Sequence, residues 1–191
     1  MTISCISDEN LANELHSFCS DKYFIPVAKH SFSHEIDAKV KEGNLSGLEV
    51  SLSTLDNAVP SERGTMCCSL DSDSFIRDDI LALMNYAVMT SSPNSDCPDD
   101  TFKFIYITSL EIKANTSLQM ILNELVLKLK QLYPGIRGVS IKVVPKVIDL
   151  VANMRVHIPH SAYLDNRFVI RRTTYSENGC VRTSALLFMK L

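Results

Sequence analysis

The segment that most constrains the fold runs from Phe102 to Val144. "FKFIYITSLEI", Phe102 to Ile112, is dense in aromatic and β-branched residues and suits a central strand. Leu118, Ile121, Leu122, Leu125, Leu129 and Leu132 then recur along one stripe of a helix, which Tyr133-Pro134-Gly135 ends. "GVSIKVV", Gly138 to Val144, alternates as a second strand. A helix with one apolar stripe, joined by short links to a strand on either side, buries that stripe against a sheet containing both strands. The segment therefore predicts a sheet with helices on its faces.

The remaining elements are read in the same way. Ile3 to Ile6 is a short apolar start. Ser7 or Asp8 caps a first helix carrying Leu11, Leu15 and Phe18 and ending near Ser20. Ala28 to Lys41 suggests a second short helix before Gly43. "GLEVSLSTL" alternates as a strand, "AVPSERG" reads as a loop, and "TMCCSLD" completes a hairpin. Ser72 or Asp73 precedes Ile76, Ile80, Leu83, Met84 and Ala87, which share one helical face and predict a helix from Asp73 to Met89. "SPNSDCPDD" is a surface loop. Pro145 opens a helix to about Arg155, and "RFVIRRTTY", "SENG" and "VRTSALLFMKL" form a C-terminal hairpin with Gly179 in the turn. The expected order is β-α-α-β-β-α-β-α-β-α-β-β. The fold class is α/β, with a central mixed sheet flanked by helices and a closing hairpin. All 191 residues are expected to form one domain.

Composition excludes several functions. An apolar share of 46% fits a globular chain, and a formal charge of -3 without a basic block gives no electrostatic footprint for nucleic acid. No apolar run approaches the ~20 residues of a membrane span, and "MTISCISDENL" lacks the pattern of a signal peptide, so a cytoplasmic protein is expected. The six cysteines form no C-x-x-C pair, and Cys67 and Cys68 point to opposite faces of a strand. They read as buried free thiols rather than a disulfide framework. The sequons at Asn44 and Asn115 carry no meaning without secretion.

The second half, with strand "FIYITSLEI", helix "SLQMILNELVLKLKQLYPG", strand "VSIKVV", a helix, "YLDNRF" and a final strand ending "FMKL", resembles the Gcn5-related N-acetyltransferases. In that family a glycine-rich turn of the form Q/R-x-x-G-x-G/A precedes the long helix and holds the pyrophosphate of acetyl-CoA on its backbone N–H groups. A turn of the form Y-x-x-x-G-F lies near the end. Here Tyr163 and Phe168 keep the spacing of the second motif, with Arg167 at the glycine position. "KANTSL" stands at the first, with Lys113 in the leading place and Thr116 and Leu118 where small residues belong.

The resemblance implies transfer of an acetyl or other acyl group from acyl-CoA to an amine on a small molecule, peptide or protein. It makes Tyr163 the acid that protonates the leaving thiolate, and Glu111, near the end of its strand, is the best candidate base. Glu49 is a weaker one. Lys113, Asn115, Thr116 and Ser117 would form the acetyl-CoA contact, and backbone N–H groups of a splayed strand would polarise the thioester. The alternative is a non-catalytic binding module, a regulator or effector with a protein partner, that has lost acyl-CoA binding. The glycine-free turn favours this alternative. "KANTSL" also reads as a plain N-cap, Asn115 or Thr116, and Glu111 as a solvated edge charge. A third reading is an unrelated α+β interaction protein. It would be recognised if the strands flanking the Leu118 helix were not adjacent, parallel and splayed.

The other clusters carry less. His30 with His34 and His157 with His160 make two pairs without a third ligand at a telling spacing, so no metal is expected. Arg167, Arg171, Arg172 and Arg182 gather near the last hairpin. They read as a solvated strand face or as a contact for a phosphate or acidic partner.

Overall fold

A computed structural model describes residues 1–21, 23–29, 59–70, 77–90, 103–159, 166–177 and 180–191, with the side chains of 21, 29, 59, 77, 170–177 and 180–186 outside that description. The elements are β1 (Thr2–Ile6), α1 (Glu9–Asp21), β2 (Phe24–Lys29), β3 (Val59–Ser69), β4 (Ile80–Thr90), β5 (Lys103–Lys113), α2 (Leu118–Leu132), β6 (Gly138–Val143), α3 (Ile148–Ala152), β7 (Val169–Glu177) and β8 (Cys180–Lys190). Short 3-10 turns at Arg77–Asp79 and Pro145–Val147 lead into β4 and α3.

The strands form one eight-stranded mixed sheet in the order β1-β3-β4-β5-β2-β6-β8-β7. All pairings are antiparallel except β5 with β6, where Ile105, Tyr106 and Ile107 lie beside Val139, Ser140 and Ile141 in parallel. Beyond Ile107 the two strands part. The chain is thus α/β with a C-terminal hairpin, and the strands flanking α2 are adjacent, parallel and splayed.

Alternation sorts the core between two faces. Met66, Cys68, Ala82, Met84, Ile105, Ile107, Leu110 and Ile112 pack with the stripe of α2 and with Ile148 and Val151 of α3. Their strand neighbours Cys67 and Leu83 pack with Ala12, Leu15 and Cys19 of α1 on the other face. Cys67 and Cys68 therefore do point oppositely. Cys19, Cys67 and Cys68 are buried free thiols, while Cys5 is exposed. At the end of α2, Tyr86 donates to the Tyr133 hydroxyl at 3.0 Å, and Tyr133 donates to Glu62 at 2.6 Å. The Tyr86 ring lies across Gly64 of β3, where a Cβ would strike it.

Four expectations are corrected. The helix placed from Asp73 to Met89 is, where described, a 3-10 turn and then β4. "ILALMNYAVM" is buried on both faces of the sheet, so the run lacks strand alternation and mimics a helical stripe. "AVPSERG" is not a loop from Val59 onward but the outer half of β3. Among the described residues β1 pairs only with Thr65 to Ser69 and leaves that half as an edge, which is where Pro60 is tolerated. Ala28 and Lys29 belong to β2 rather than to a second helix, and the rest of that segment lies outside the described residues, as does "GLEVSLSTL". The helix expected from Pro145 to Arg155 is also shorter, a 3-10 turn and then α3. The first helix is capped by Asp8, whose Oδ1 accepts the Asn10 and Leu11 amides at 2.8 and 3.3 Å.

Candidate functional site

The turn between β5 and α2 brings Lys113, Asn115, Thr116 and Ser117 together. Asn115 supplies the left-handed residue, with φ 67°, a conformation that asparagine tolerates better than most side chains. Thr116 donates its amide to the Lys113 carbonyl at 3.1 Å, which closes the turn. The cap is Ser117, whose hydroxyl accepts the Met120 amide at 3.4 Å, so one of the free donors at the helix start is already taken. Lys113 Nζ donates to the Asp78 carbonyl at 2.6 Å, which points the ammonium at the turn before β4. Leu118 is buried in the core, as the first residue of the helical stripe.

β2 occupies the place where β5 and β6 part. It runs antiparallel to β5, with Phe24, Ile25 and Pro26 opposite Lys113, Ile112 and Glu111, and after a bulge with Ala28 and Lys29 opposite Leu110 and Ser109. On its other side Ala28 pairs with Val143, and the Val144 amide donates to the Val27 carbonyl at 2.9 Å. The Ala114 amide, at the start of the turn, donates to the Tyr23 carbonyl at 2.7 Å. Val27 and Ala28 are fully buried there. With β4 along its other edge, the last stretch of β5 is held between two strands of its own chain.

Glu111 lies on the α1 face, opposite Leu83 of β4 and Pro26 of β2. It is half-buried, and its Oε2 has no hydrogen-bond partner among the described residues. Its charge acts on Cys19: burial, then the Glu111 carboxylate, then Cys67 push the Cys19 thiol up to about 12. Tyr163, Glu49, His30, His34 and His160 lie outside the described residues. No group of three or more His, Cys, Asp or Glu side chains able to hold a metal occurs among the described residues. Arg167 pairs by an isolated bridge with Arg155.

A feature of the α1 face was missed in the sequence. Thr65, Asn85 and Ser109 are in register across β3, β4 and β5, and Thr108 is the extra residue of a bulge at this level. Thr65 donates its hydroxyl to Asn85 Oδ1 at 2.8 Å. With Asn13 and His16 of α1, Thr65, Asn85 and Thr108 border a cleft of about 460 Å³, and Ser109 lies beside it in the row. The available signal is Asn85 alone, the only non-aromatic polar residue between Ile80 and Met89.

No protein-family model matches this chain, and no curated protein matches it in sequence. Two solved structures are similar to it over its whole length. One is smu.2055 from Streptococcus mutans UA159, at 13% identity, with 98% of that chain covered and a TM-score of 0.41. The other is an acetyltransferase of the GNAT family from Streptococcus pneumoniae, at 13% identity, with 100% of that chain covered and a TM-score of 0.41. The fold of the present chain is defined by its own strand order: a mixed sheet with parallel, splayed β5 and β6, and one further strand between them. No helix among the described residues is long and apolar enough to cross a membrane.

Proposed function

We propose that the chain is a non-catalytic binding module on an acyltransferase-like scaffold, one that holds its partner without acyl transfer. The observation that carries this reading is β2. Acyl transfer in the manner the resemblance implies requires backbone N–H groups of a splayed strand to face the thioester. In this chain that stretch of β5 lies between β4 and β2. The turn supports the same reading, since Lys113 is engaged with Asp78 and the Ser117 hydroxyl with Met120. The buried free thiols Cys19, Cys67 and Cys68 fit a reducing, cytoplasmic setting.

A thermal-melt titration with acetyl-CoA tests the proposal. A ligand at ~100 times its dissociation constant stabilises a fold by about 2.7 kcal/mol, a readily visible shift. No shift is expected at millimolar acetyl-CoA. A clear shift, lost in Lys113→Ala, would overturn the proposal. It would restore the N-acyltransferase reading, with Tyr163 as acid, Glu111 as base and an amine as acceptor.

A further inference from the structure

The cleft under α1 differs from the rest of the sheet in how its polar groups are placed. Central strands buried on both faces are normally apolar throughout, because a buried polar group without a full set of partners destabilises the fold. Here three central strands put Thr65, Asn85 and Ser109 in one row, and β5 bulges at that level to add Thr108. Bulges occur preferentially next to functional sites, where they redirect side chains. The row is not satisfied internally. Thr65 donates to Asn85, but Ser109 Oγ of the row and His16 Nε2 of the cleft lining are buried without hydrogen-bond partners among the described residues. Unpaired groups of this kind are rare in native folds and call for a specific explanation.

The chemistry of the lining selects a ligand class. The half-buried cleft residues Thr65, Asn85, Thr108 and His16 are hydroxyl, amide and imidazole groups, each able both to donate and to accept. The two charged residues, Glu9 and Arg63, are exposed, opposite in sign, and sit at the rim. The floor thus offers no full countercharge to a buried ion and several mixed donor–acceptor groups to a hydroxyl. The volume of about 460 Å³ lies within the range of small-molecule sites. We infer that this cleft binds a small, neutral, hydroxyl-rich molecule of the size of a monosaccharide or inositol. The inference depends on the fold but not on whether acyl-CoA is turned over, and it has a separate readout.

The test has two arms. In the first, Thr65→Val with Asn85→Leu removes both partners of the Thr65–Asn85 bond. If the row is kept for a ligand, the melting temperature of the double variant stays within ~2 °C of the parent or rises. A fall of more than ~5 °C would make the row a structural element and overturn the inference. In the second, ¹⁵N-labelled full chain is titrated with glucose, galactose, mannose and myo-inositol to ~50 mM, with methylamine and acetate as charged controls. Saturable movement of the Asn85 side-chain amide and the Thr108 and Ser109 amides is expected with at least one polyol. At least ~10-fold weaker binding is expected in Thr108→Val, a conservative variant that keeps the fold readable. No movement with any polyol, or movement with methylamine or acetate instead, would overturn it.

Discussion

The gap beside the end of β5 and the cleft under α1 lie along the same strand but differ in how their polar groups are satisfied. In the gap, β2 pairs with β5 on one side and touches β6 on the other, and the neighbouring turn closes on itself through Thr116, Ser117 and Lys113. In the cleft, half-buried hydroxyl, amide and imidazole groups face open volume, and two neighbouring polar atoms lack partners among the described residues. The place where the family resemblance directs attention is filled by the chain itself. The cleft that keeps open polar groups is on the α1 face of the sheet, and no motif marks it. Fold-level analogy gives a scaffold, and the site has to be found in the groups themselves.

The largest expected effect breaks the comparison on the β2 side. Val27 and Ala28 are fully buried between β5 and β6. If β2 is an integral strand, Ala28→Asp puts a carboxylate in the core without a partner and destabilises the chain by about 3–5 kcal/mol. Urea denaturation would show a large fall in midpoint, or loss of the cooperative transition. A change below ~1 kcal/mol would mean that β2 is only loosely held and that the gap opens readily, which would undercut the non-catalytic reading.

What the sequence disclosed follows the same division. The strand–helix–strand segment from Phe102 to Val144 is legible because its period changes cleanly from two to 3.6 and back, and because Pro134 and Gly135 punctuate it. β4 is not legible, because a strand buried on both faces has no alternation, and its leucines, methionines and alanines also suit a helix. β2 is short and interrupted by Pro26, and its pairing with β5 depends on residues eighty or more positions away, which no local window reports. The turn that holds Lys113, Asn115, Thr116 and Ser117 falls between β5 and α2, with the cap on Ser117 rather than Asn115 or Thr116. Glu111 is on the side of β5 that alternation predicts, opposite Leu110 and Ile112, but the helix packed over that face is a tertiary fact. The Thr65–Asn85–Ser109 row is legible only once the register is known.

An intermediate effect sharpens the comparison on the α1 face, where Cys19, Cys67 and Glu111 meet. Burial is the leading cause that pushes the Cys19 and Cys67 thiols up to about 12 from an ordinary 9.0. Each thiol therefore holds its proton more firmly in the folded than in the unfolded chain. This stability is fully present below pH 9 and is lost as pH rises from there towards 12, by at most about 1.4 kcal/mol per pH unit per thiol. Melting temperatures between pH 8 and 11 should fall progressively, and Cys67→Ala should make the fall shallower. A flat profile, or an unchanged slope in Cys67→Ala, would show that these thiols are not sealed beneath α1.

The smallest effect separates the two features at the gap between β5 and β6, the turn and the strand. Thr116→Gly introduces the residue type that the resembling family's turn has at that position, in a short turn where the conformational cost of glycine is ~1 kcal/mol or less. If the missing glycine alone abolished acyl-CoA binding, the variant should regain a melting shift with acetyl-CoA that the parent lacks. If β2 is what closes the gap, the variant should melt within a few degrees of the parent, about 2–4 °C at most for a chain of this size, and gain no shift. The second outcome is expected. The pairing of Phe24, Ile25 and Pro26 with Lys113, Ile112 and Glu111 is untouched by a change at Thr116, and it occupies the edge of β5 that a thioester would need. A shift in Thr116→Gly but not in the parent would place the defect in one turn residue. β2 would then be a neighbour of the site rather than its occupant.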